Sequence, residues 1–497
     1  MAGLVFIDRK QFFDASGYNF LPFRFRRLNG DSVLLTNDVG EFACLSSETF
    51  KQFIDRQLTS NRREYLDLKS KFFLSDGSSA SQTRILASRY RTKKSFLDGF
   101  TKLHLFVVTL RCDHSCPYCQ VSRQCEDKMK YDMSRQTAFK AADVMLKGPA
   151  PTITCEFQGG EPLLNFPLIE ELILYIKAKN ERIGKRIDFV VCTNLAPLTD
   201  KHLDFFKAHD VKVSTSLDGP AIVHDVNRPW AKGSSHQIVV RNLQRVQEAL
   251  GMDAISALMT TTKTSLSYPD EIVDEYLRLG LRSIVLRSLS PFGFAVKTMN
   301  AIGYSADEFV HFYKRVFDRI LDVNRGGTTF SEGMANLILS KILTPFPTSY
   351  VDLQSPAGAG FGAVAYSYDG DVYASDESRM LAEANDKTFR LGNVMQDSYE
   401  TIFYGERMQQ IASAACNEAL PGCSDCVFQP YCGADPVYNY ATQGDMVGNR
   451  PMSGFCNKTM PIMSYLFELL LRKDDELERI FLAWINQASI AEMSLPA

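Results

Sequence analysis

At 497 residues, 45% hydrophobic and 23% charged, with a net charge of −3, the chain has the composition of a folded protein of about two to four domains. The charge balance leaves no basic footprint for nucleic acid, and no membrane partner is expected, because the apolar run at 462–471 is broken by Glu468 and is too short to span a bilayer. Residues 1–9 reach charge before a signal-like core can form, which points to the cytoplasm, where 12 cysteines read as metal ligands or catalysts rather than a disulfide framework.

Residues 1–75 read as a small α+β domain. Short strands at 32–36 and 41–45 flank a turn closed by Gly40, Ser46 or Ser47 caps a helix through Phe50, Phe53, Ile54 and Leu58, and a second helix is expected around 65–73. Residues 76–102 follow as a linker, polar over 75–83.

From residue 103 strands and helices alternate, the pattern of parallel βα units. Strands are expected at 103–110, 152–157, 187–192, 211–216, 254–259 and 283–286. The helices between them start at Ser134, Pro167 and Pro269 and stop near Gly148, Gly184 and Gly280. Residues 103–290 thus give an α/β fold, an open (β/α)6 partial barrel, and such barrels collect their chemistry at the C-terminal ends of the strands. After the first strand, Cys112, Cys116 and Cys119 share one loop, and three thiolates so spaced can hold an iron-sulfur cube with one iron left open. Zinc would need a fourth ligand, and only Cys125 is near. After the second strand comes Gln158-Gly159-Gly160-Glu161-Pro162, whose adjacent glycines let a backbone approach a ligand closely. Thr193-Asn194 ends the third strand, Ser214-Thr215-Ser216-Leu217-Asp218-Gly219-Pro220 follows the fourth with Arg228 soon after, and Arg287 follows the sixth.

Residues 291–355 read as a mostly helical linker. Within 356–460 a hairpin is expected to turn at Asp369-Gly370, and Cys423, Cys426, Cys432 and Cys456 then form a set of four thiols that suits either zinc or an iron-sulfur cluster. The remaining cysteines, Cys44, Cys125, Cys155, Cys192 and Cys416, default to small buried hydrophobes. Residues 461–497 are helical, with Leu466, Leu469, Leu470, Leu477, Ile480, Phe481 and Trp484 at the spacing of a core or partner-docking face.

The Cys-x3-Cys-x2-Cys run with Tyr118 before its last thiol, the Gly-Gly-Glu-Pro segment and the Ser-Leu-Asp-Gly-Pro segment together resemble the radical S-adenosylmethionine (SAM) superfamily. That resemblance implies a [4Fe-4S] cluster on Cys112, Cys116 and Cys119, with SAM on its open iron cleaved reductively to a 5′-deoxyadenosyl radical that abstracts hydrogen. It implies SAM contacts at Tyr118, Gln158, Gly159, Gly160, Glu161, Pro162 and Asn194. Ser216 would meet the ribose and Arg228 the carboxylate, for which a two-armed donor is suited.

Residues 356–460 resemble the SPASM extension of such enzymes, whose full pattern has seven cysteines and two auxiliary clusters. Here Ser375 and Pro436 stand at two of the cysteine positions and a third cysteine is missing upstream. The resemblance therefore implies one auxiliary [4Fe-4S] cluster, on Cys423, Cys426, Cys432 and Cys456. It also makes Asp376, retained beside Ser375, a candidate base on the substrate, against the plainer role of ending the hairpin or capping a helix. The N-terminal hairpin and helices resemble the winged-helix-like recognition element of peptide-modifying enzymes, which takes a leader peptide as an added strand; a packing extension of the barrel is the alternative.

More narrowly, Leu21-Pro22-Phe23-Arg24-Phe25-Arg26, Val108-Thr109-Leu110-Arg111-Cys112, Cys119-Gln120-Val121-Ser122-Arg123 and the run from Glu156 to Phe166 resemble the radical SAM maturases of His-Xaa-Ser systems. The function so implied is modification of side chains in a ribosomally made precursor peptide. The partners implied are that peptide, an electron donor such as flavodoxin or ferredoxin, and a second maturase of the same system. Sulfatase-type formylglycine formation and a non-catalytic metal-binding regulator are the competing readings.

Overall fold

Early in the described chain lies a three-stranded antiparallel sheet, β1 Phe23–Arg27, β2 Ser32–Asn37 and β3 Phe42–Ser46, with β2 in the middle. In this computed structural model residues 17–28, 30–77, 81–121, 123–125, 127–348 and 350–493 are described; the readings on residues 1–16, on 78–80 of the linker and on Ser122 lie outside them. Ser46 caps α1 (Ser47–Ile54), its hydroxyl accepting from the Thr49 amide at 3.1 Å, and α2 is Arg63–Ser70. Val33, Leu35, Phe53, Leu68 and Phe73 make a separate small core between sheet and helices. The stretch expected as a linker carries a helix of its own, α3 (Gln82–Lys94).

The barrel strands are β4 Leu103–Thr109, β5 Thr152–Gly159, β6 Arg186–Thr193, β7 Val211–Ser216, β8 Ile255–Thr260 and β9 Leu286–Arg287, all parallel and adjacent in chain order. Between them lie α4 Arg135–Lys147, α5 Phe166–Asn180, α6 Asp200–His209, α7 Ala221–Asn227, α8 Ser235–Leu250 and α9 Pro269–Arg278. One strand face, with Phe106, Phe157, Phe189 and Val191, packs under Ala138, Ile169, Leu172 and Phe206 of the helices in the main core. Because successive side chains alternate, Glu156, Gln158, Cys192, Ser214, Ser216 and Arg287 point to the other face and line the lumen.

Two expectations change. The sixth strand is split: Ser283–Ile284 pairs with Ser331–Glu332 in a separate small sheet, and only Leu286–Arg287 joins β8. The cause is Glu332, fully buried, whose carboxylate accepts from the amides of Leu286, Met334 and Ala335 and from the Tyr313 hydroxyl at 2.6 Å. The region 291–355 is also no mere linker. It holds α10 Phe294–Ile302, α11 Ala306–Arg325 and α12 Gly333–Leu343, and α11 buries Phe309, Phe312, Tyr313, Phe317 and Ile320.

The hairpin turning at Asp369-Gly370 is present as β10 Ala363–Tyr366 and β11 Asp371–Tyr373, but it does not stand apart. β10 runs parallel to β4 and pairs with it from Leu103 to Phe106, so with β12 (Arg390–Asn393) it extends the barrel sheet to nine strands. After it come α13 Asp376–Glu383, α14 Pro436–Gln443, α15 Gly454–Leu470 and α16 Asp475–Asn486. Among the described residues no helix is long and apolar enough to cross a membrane.

Candidate active site

The loop bearing Cys112, Cys116 and Cys119 leaves the C-terminal end of β4, and its first residues are pinned. Arg111 forms a two-armed pair with Asp132, Nε to Oδ1 at 2.7 Å and Nη2 to Oδ2 at 2.8 Å, and Thr109 Oγ1 donates to the same carboxylate at 2.6 Å. From β5 the Gly160 amide donates to the Thr109 carbonyl at 2.9 Å and the Glu161 amide to that of Arg111 at 2.7 Å. A Cβ on Gly159 would collide with the Thr109 carbonyl and one on Gly160 with that of Arg111. The nearest neighbour these glycines admit is therefore the cysteine loop itself.

Glu161 is fully buried and spends its carboxylate inside the protein. It accepts from the Leu163 amide at 2.9 Å, the Thr193 hydroxyl at 2.7 Å and the Asn194 amide at 2.7 Å, and burial pushes its pKa up to about 7 against these bonds. Glu161 thus stitches β5 to β6, while Pro162 opens the short turn that follows. Asn194 is likewise engaged, its Nδ2 donating to Asp113 Oδ1 at 2.8 Å and its Oδ1 accepting from the Ala196 amide at 2.8 Å. Gln158 donates to the Glu156 carboxylate.

Tyr118 and Arg228 converge on one carboxylate that carried no role in the sequence reading. Asp218, fully buried, takes the Tyr118 hydroxyl at 2.6 Å and Arg228 Nε at 3.1 Å on Oδ2, and the Thr260 amide at 3.0 Å on Oδ1. The guanidinium lies 5.2 Å from the Tyr118 ring centre. Only Nε is used; among the described residues neither Nη of Arg228 has an acceptor, which leaves a two-armed fork at the mouth of the barrel. Burial pushes the Cys116 thiol up to about 12, and the nearby Arg228 charge opposes it.

A second buried chain ties the loop to α7 and α8. His114 stacks on Trp230, meets Asp113 Oδ1 at 2.9 Å through Nδ1, and meets the Ser235 hydroxyl at 2.9 Å through Nε2. The same hydroxyl is 3.1 Å from His224 Nε2, and His224 Nδ1 accepts from the Asp218 amide at 3.2 Å. Asp113, His114, Asp218 and His224 lie in or beside motifs visible in the sequence, where their role was not legible; Ser235 carries no sequence signal at all.

Deeper in the lumen, Asp376 is the first residue of α13, which Ser375 caps through a bond from the Ser378 amide at 3.2 Å. Asp376 is therefore not the cap; its carboxylate accepts from Arg379 Nε at 3.0 Å. It faces Glu156, whose pKa burial raises and Asp376 raises further, and Cys192 beyond. Arg287 pairs with Glu377 at 3.5 Å. The Asp435 carboxyl is pushed up to about 7 by burial, with Glu377 and Asp352 adding to it, so a row of acids leads from the lumen toward the second cysteine set.

Cys423, Cys426, Cys432 and Cys456 line a cavity of about 470 Å3. The Cys426 amide closes a turn on the Cys423 carbonyl at 3.0 Å, Asn417 Nδ2 holds the Cys432 carbonyl at 3.0 Å, and Cys456 lies in the first turn of α15. Burial raises the Cys432 thiol, and the other three thiols add to that rise, which places all four within electrostatic reach of one another. Burial pushes Cys423 up to about 11, with Arg450 opposing. Among the described residues no three His, Cys, Asp or Glu side chains converge at the distances of a single metal ion. Both thiol sets are free of disulfides and half-buried, and the soft donors of the second surround a space larger than one ion, so the residues present fit iron-sulfur clusters. Of the remaining cysteines, Cys155 is buried and Cys125 is exposed.

The N-terminal sheet reaches this cavity. Phe25 and Arg26 of β1 are part of its wall, Thr36 Oγ1 donates to the Val427 carbonyl at 2.6 Å, Arg24 donates to the Ser424 carbonyl, and the Tyr431 hydroxyl donates to the Gly40 carbonyl at 3.0 Å.

Comparison with known proteins covers the barrel. Residues 106–274 match the family model described as the Radical SAM superfamily. Over 195 residues, 39% of this chain, it is 30% identical to the uncharacterized protein MJ0907 of Methanocaldococcus jannaschii, and over 199 residues, 37% of the chain, 30% identical to the radical SAM cyclopropyl synthase TigE of Paramaledivibacter caminithermalis. The chain spans 65% of the length of the first and 41% of the second. In fold it is similar to anSMEcpe with bound AdoMet, at a TM-score of 0.63 and 17% identity over 78% of this chain and 98% of that one. The same protein with AdoMet and the Cp18Cys peptide gives a TM-score of 0.61 at 16% identity over 76% and 99%. Residues 106–274 of this chain are a radical SAM domain of the kind its enzymatic relatives carry.

Proposed function

We propose that the chain is a maturase that modifies side chains of a ribosomally made precursor peptide by hydrogen abstraction. The observation that carries this reading is the lumen, which presents Glu156, Cys192, Ser214, Asp376 and Arg287 where a closed barrel would pack apolar layers, and which lies between two sets of free thiols. When bound, SAM and a [4Fe-4S] cluster would supply a hydrogen-abstracting 5′-deoxyadenosyl radical. Cys112, Cys116 and Cys119 would hold that cluster, the free Nη pair of Arg228 would grip the carboxylate of SAM, and Ser216, at the end of β7, would meet its ribose. Asp218 and Tyr118 keep the Arg228 fork turned toward the cysteine loop. Gly159 and Gly160 bring the β5 end against that loop, where the backbone from Gln158 to Pro162 would meet the ammonium group.

Residues 356–460 serve on this reading as a SPASM-like extension with one auxiliary [4Fe-4S] cluster on the four later cysteines. Ser375, at a position where a second auxiliary site would need a thiol, is used as a helix cap, which favours this reading over sulfatase-type maturation. Residues 1–75 act as the recognition element, with β1 as an edge strand to which a leader could add. Asp376, in the lumen against Glu156, would accept the proton that the substrate radical gives up, and a cluster held by the four later cysteines would supply the acceptor for the electron lost with it. The electron donor is flavodoxin or ferredoxin, and a second maturase completes the system. A fold neighbour solved with a bound peptide supports this class of substrate.

The test is a search beside the gene for a short reading frame with repeated His and Ser, co-expression of the peptide it encodes, and mass spectrometry. A mass change in the peptide that disappears in Cys116→Ala supports the reading. A colourless, zinc-loaded protein that leaves both SAM and the peptide unchanged would sink it.

A further inference from the structure

The cavity of the second cysteine set is lined by arginines from two distant parts of the chain. Arg450, only 9% exposed, ties down its two outer nitrogens, Nη1 on Asn439 Oδ1 at 3.1 Å and Nη2 on the Val447 carbonyl at 2.5 Å. Its Nε is buried with no acceptor among the described residues, although the side chain lines the cavity beside Cys423. A buried donor without a well-placed acceptor is destabilising, so its retention beside Cys423 points to an acceptor at that side of the cavity. Arg26 lines the same cavity from β1, its guanidinium 5.7 Å from the Phe428 ring centre. The acids on the wall do not cancel these charges in one place: Asp435 is engaged by the amides of Val437 at 2.9 Å and Tyr438 at 3.2 Å, and Asp425 is the other.

We propose that Arg450 and Arg26 are the charge-compensating residues of an iron-sulfur centre in this cavity, Arg450 Nε donating to the Cys423 sulfur or to an adjacent sulfide and Arg26 adding a second positive charge from the N-terminal sheet. The proposal rests on the auxiliary-cluster reading above. Four thiolates leave such a centre negatively charged, and reduction adds one more negative charge. A nearby cation or a donor to sulfur stabilises the reduced form more than the oxidised one and so raises the potential. Both are positioning residues, since neither ligates the metal nor meets the substrate.

The experiment compares reconstituted full-length protein with Arg450→Gln, Arg26→Gln, the double variant and Arg450→Lys, measuring iron and acid-labile sulfide and following reduction of each cluster by EPR-monitored redox titration. The expected result is iron for two clusters throughout, and a fall in the midpoint potential of the second cluster in each Gln variant. The fall should be larger in the double variant and partly reversed in Arg450→Lys, while the first cluster does not move. Two clusters with unchanged potentials overturn the proposal. Iron for one cluster in the unmodified protein overturns the auxiliary-cluster reading instead. If Arg450→Gln loses the second cluster through its ties to Asn439 and Val447, Arg26→Gln decides, because its guanidinium makes no hydrogen bond within the described chain.

Discussion

The two thiol sets are built in opposite ways. Cys112, Cys116 and Cys119 fall within eight consecutive residues on a loop whose entry is fixed by β4, Asp132 and the β5 glycines, so its geometry follows from one strand and its immediate neighbours. The second set draws on a turn at Cys423 and Cys426, on Cys432 behind a short helical turn, and on Cys456 at the head of α15, and its wall is finished by β1 from the far end of the chain. A local site needs little beyond its own segment. The dispersed one exists only when four segments and a separate small core are all in place.

The comparison can be broken most sharply by removing the local set. Changing Cys112, Cys116 and Cys119 together to Ala should abolish SAM cleavage and remove one cluster's iron while the second cluster remains; loss of both would show that the sites depend on each other. The reverse experiment is deletion of residues 1–75. Because Thr36, Arg24 and Gly40 hold the Cys423–Tyr431 segment, iron should fall to that of the first cluster and peptide modification should cease, while SAM cleavage without peptide persists. Full iron in the truncated protein would reduce β1 to a covering element.

Asp376 lies between the two sites. Asp376→Asn should keep both clusters and form 5′-deoxyadenosine with peptide present, yet give little modified product; full product formation excludes a proton-accepting role. The smallest expected effect is at the local site's outer wall. Arg228→Lys keeps the charge but loses the two-armed fork, which at roughly 1.5–3 kcal/mol for charged hydrogen bonds should weaken SAM binding about 10- to 100-fold without changing iron content.

The same contrast explains what could be read from the sequence. The barrel strands and the cysteine loop were legible because period-two apolar runs and a motif within one loop are local signals. The glycines of Gly159-Gly160 could be seen but not their neighbour: a sequence shows that a backbone comes close to something, and only the packing shows that this is Thr109 and Arg111. Glu161 stands in a motif visible in the sequence, but the three internal bonds of its carboxylate do not show there. Asp218, Ser235 and His224 act through partners on other segments, and Arg26 serves a cavity whose thiols stand about 400 residues away, a distance over which no periodicity carries information. The split sixth strand has the same origin, since Glu332 diverts it from 46 residues downstream.

The β4–β10 pairing has a consequence for how the protein is made. Leu103 and Ala363 are neighbours in a parallel ladder although about 260 residues separate them, so the first barrel strand keeps one bare edge during synthesis until β10 emerges. Closing so long a loop is slow, and an unpaired, apolar edge in that interval is a template for pairing between chains. A chain ended before residue 363 would leave this edge open for good, and on truncation from the C-terminus the yield of soluble protein should drop at β10, after all four cysteines of the second set have already been removed.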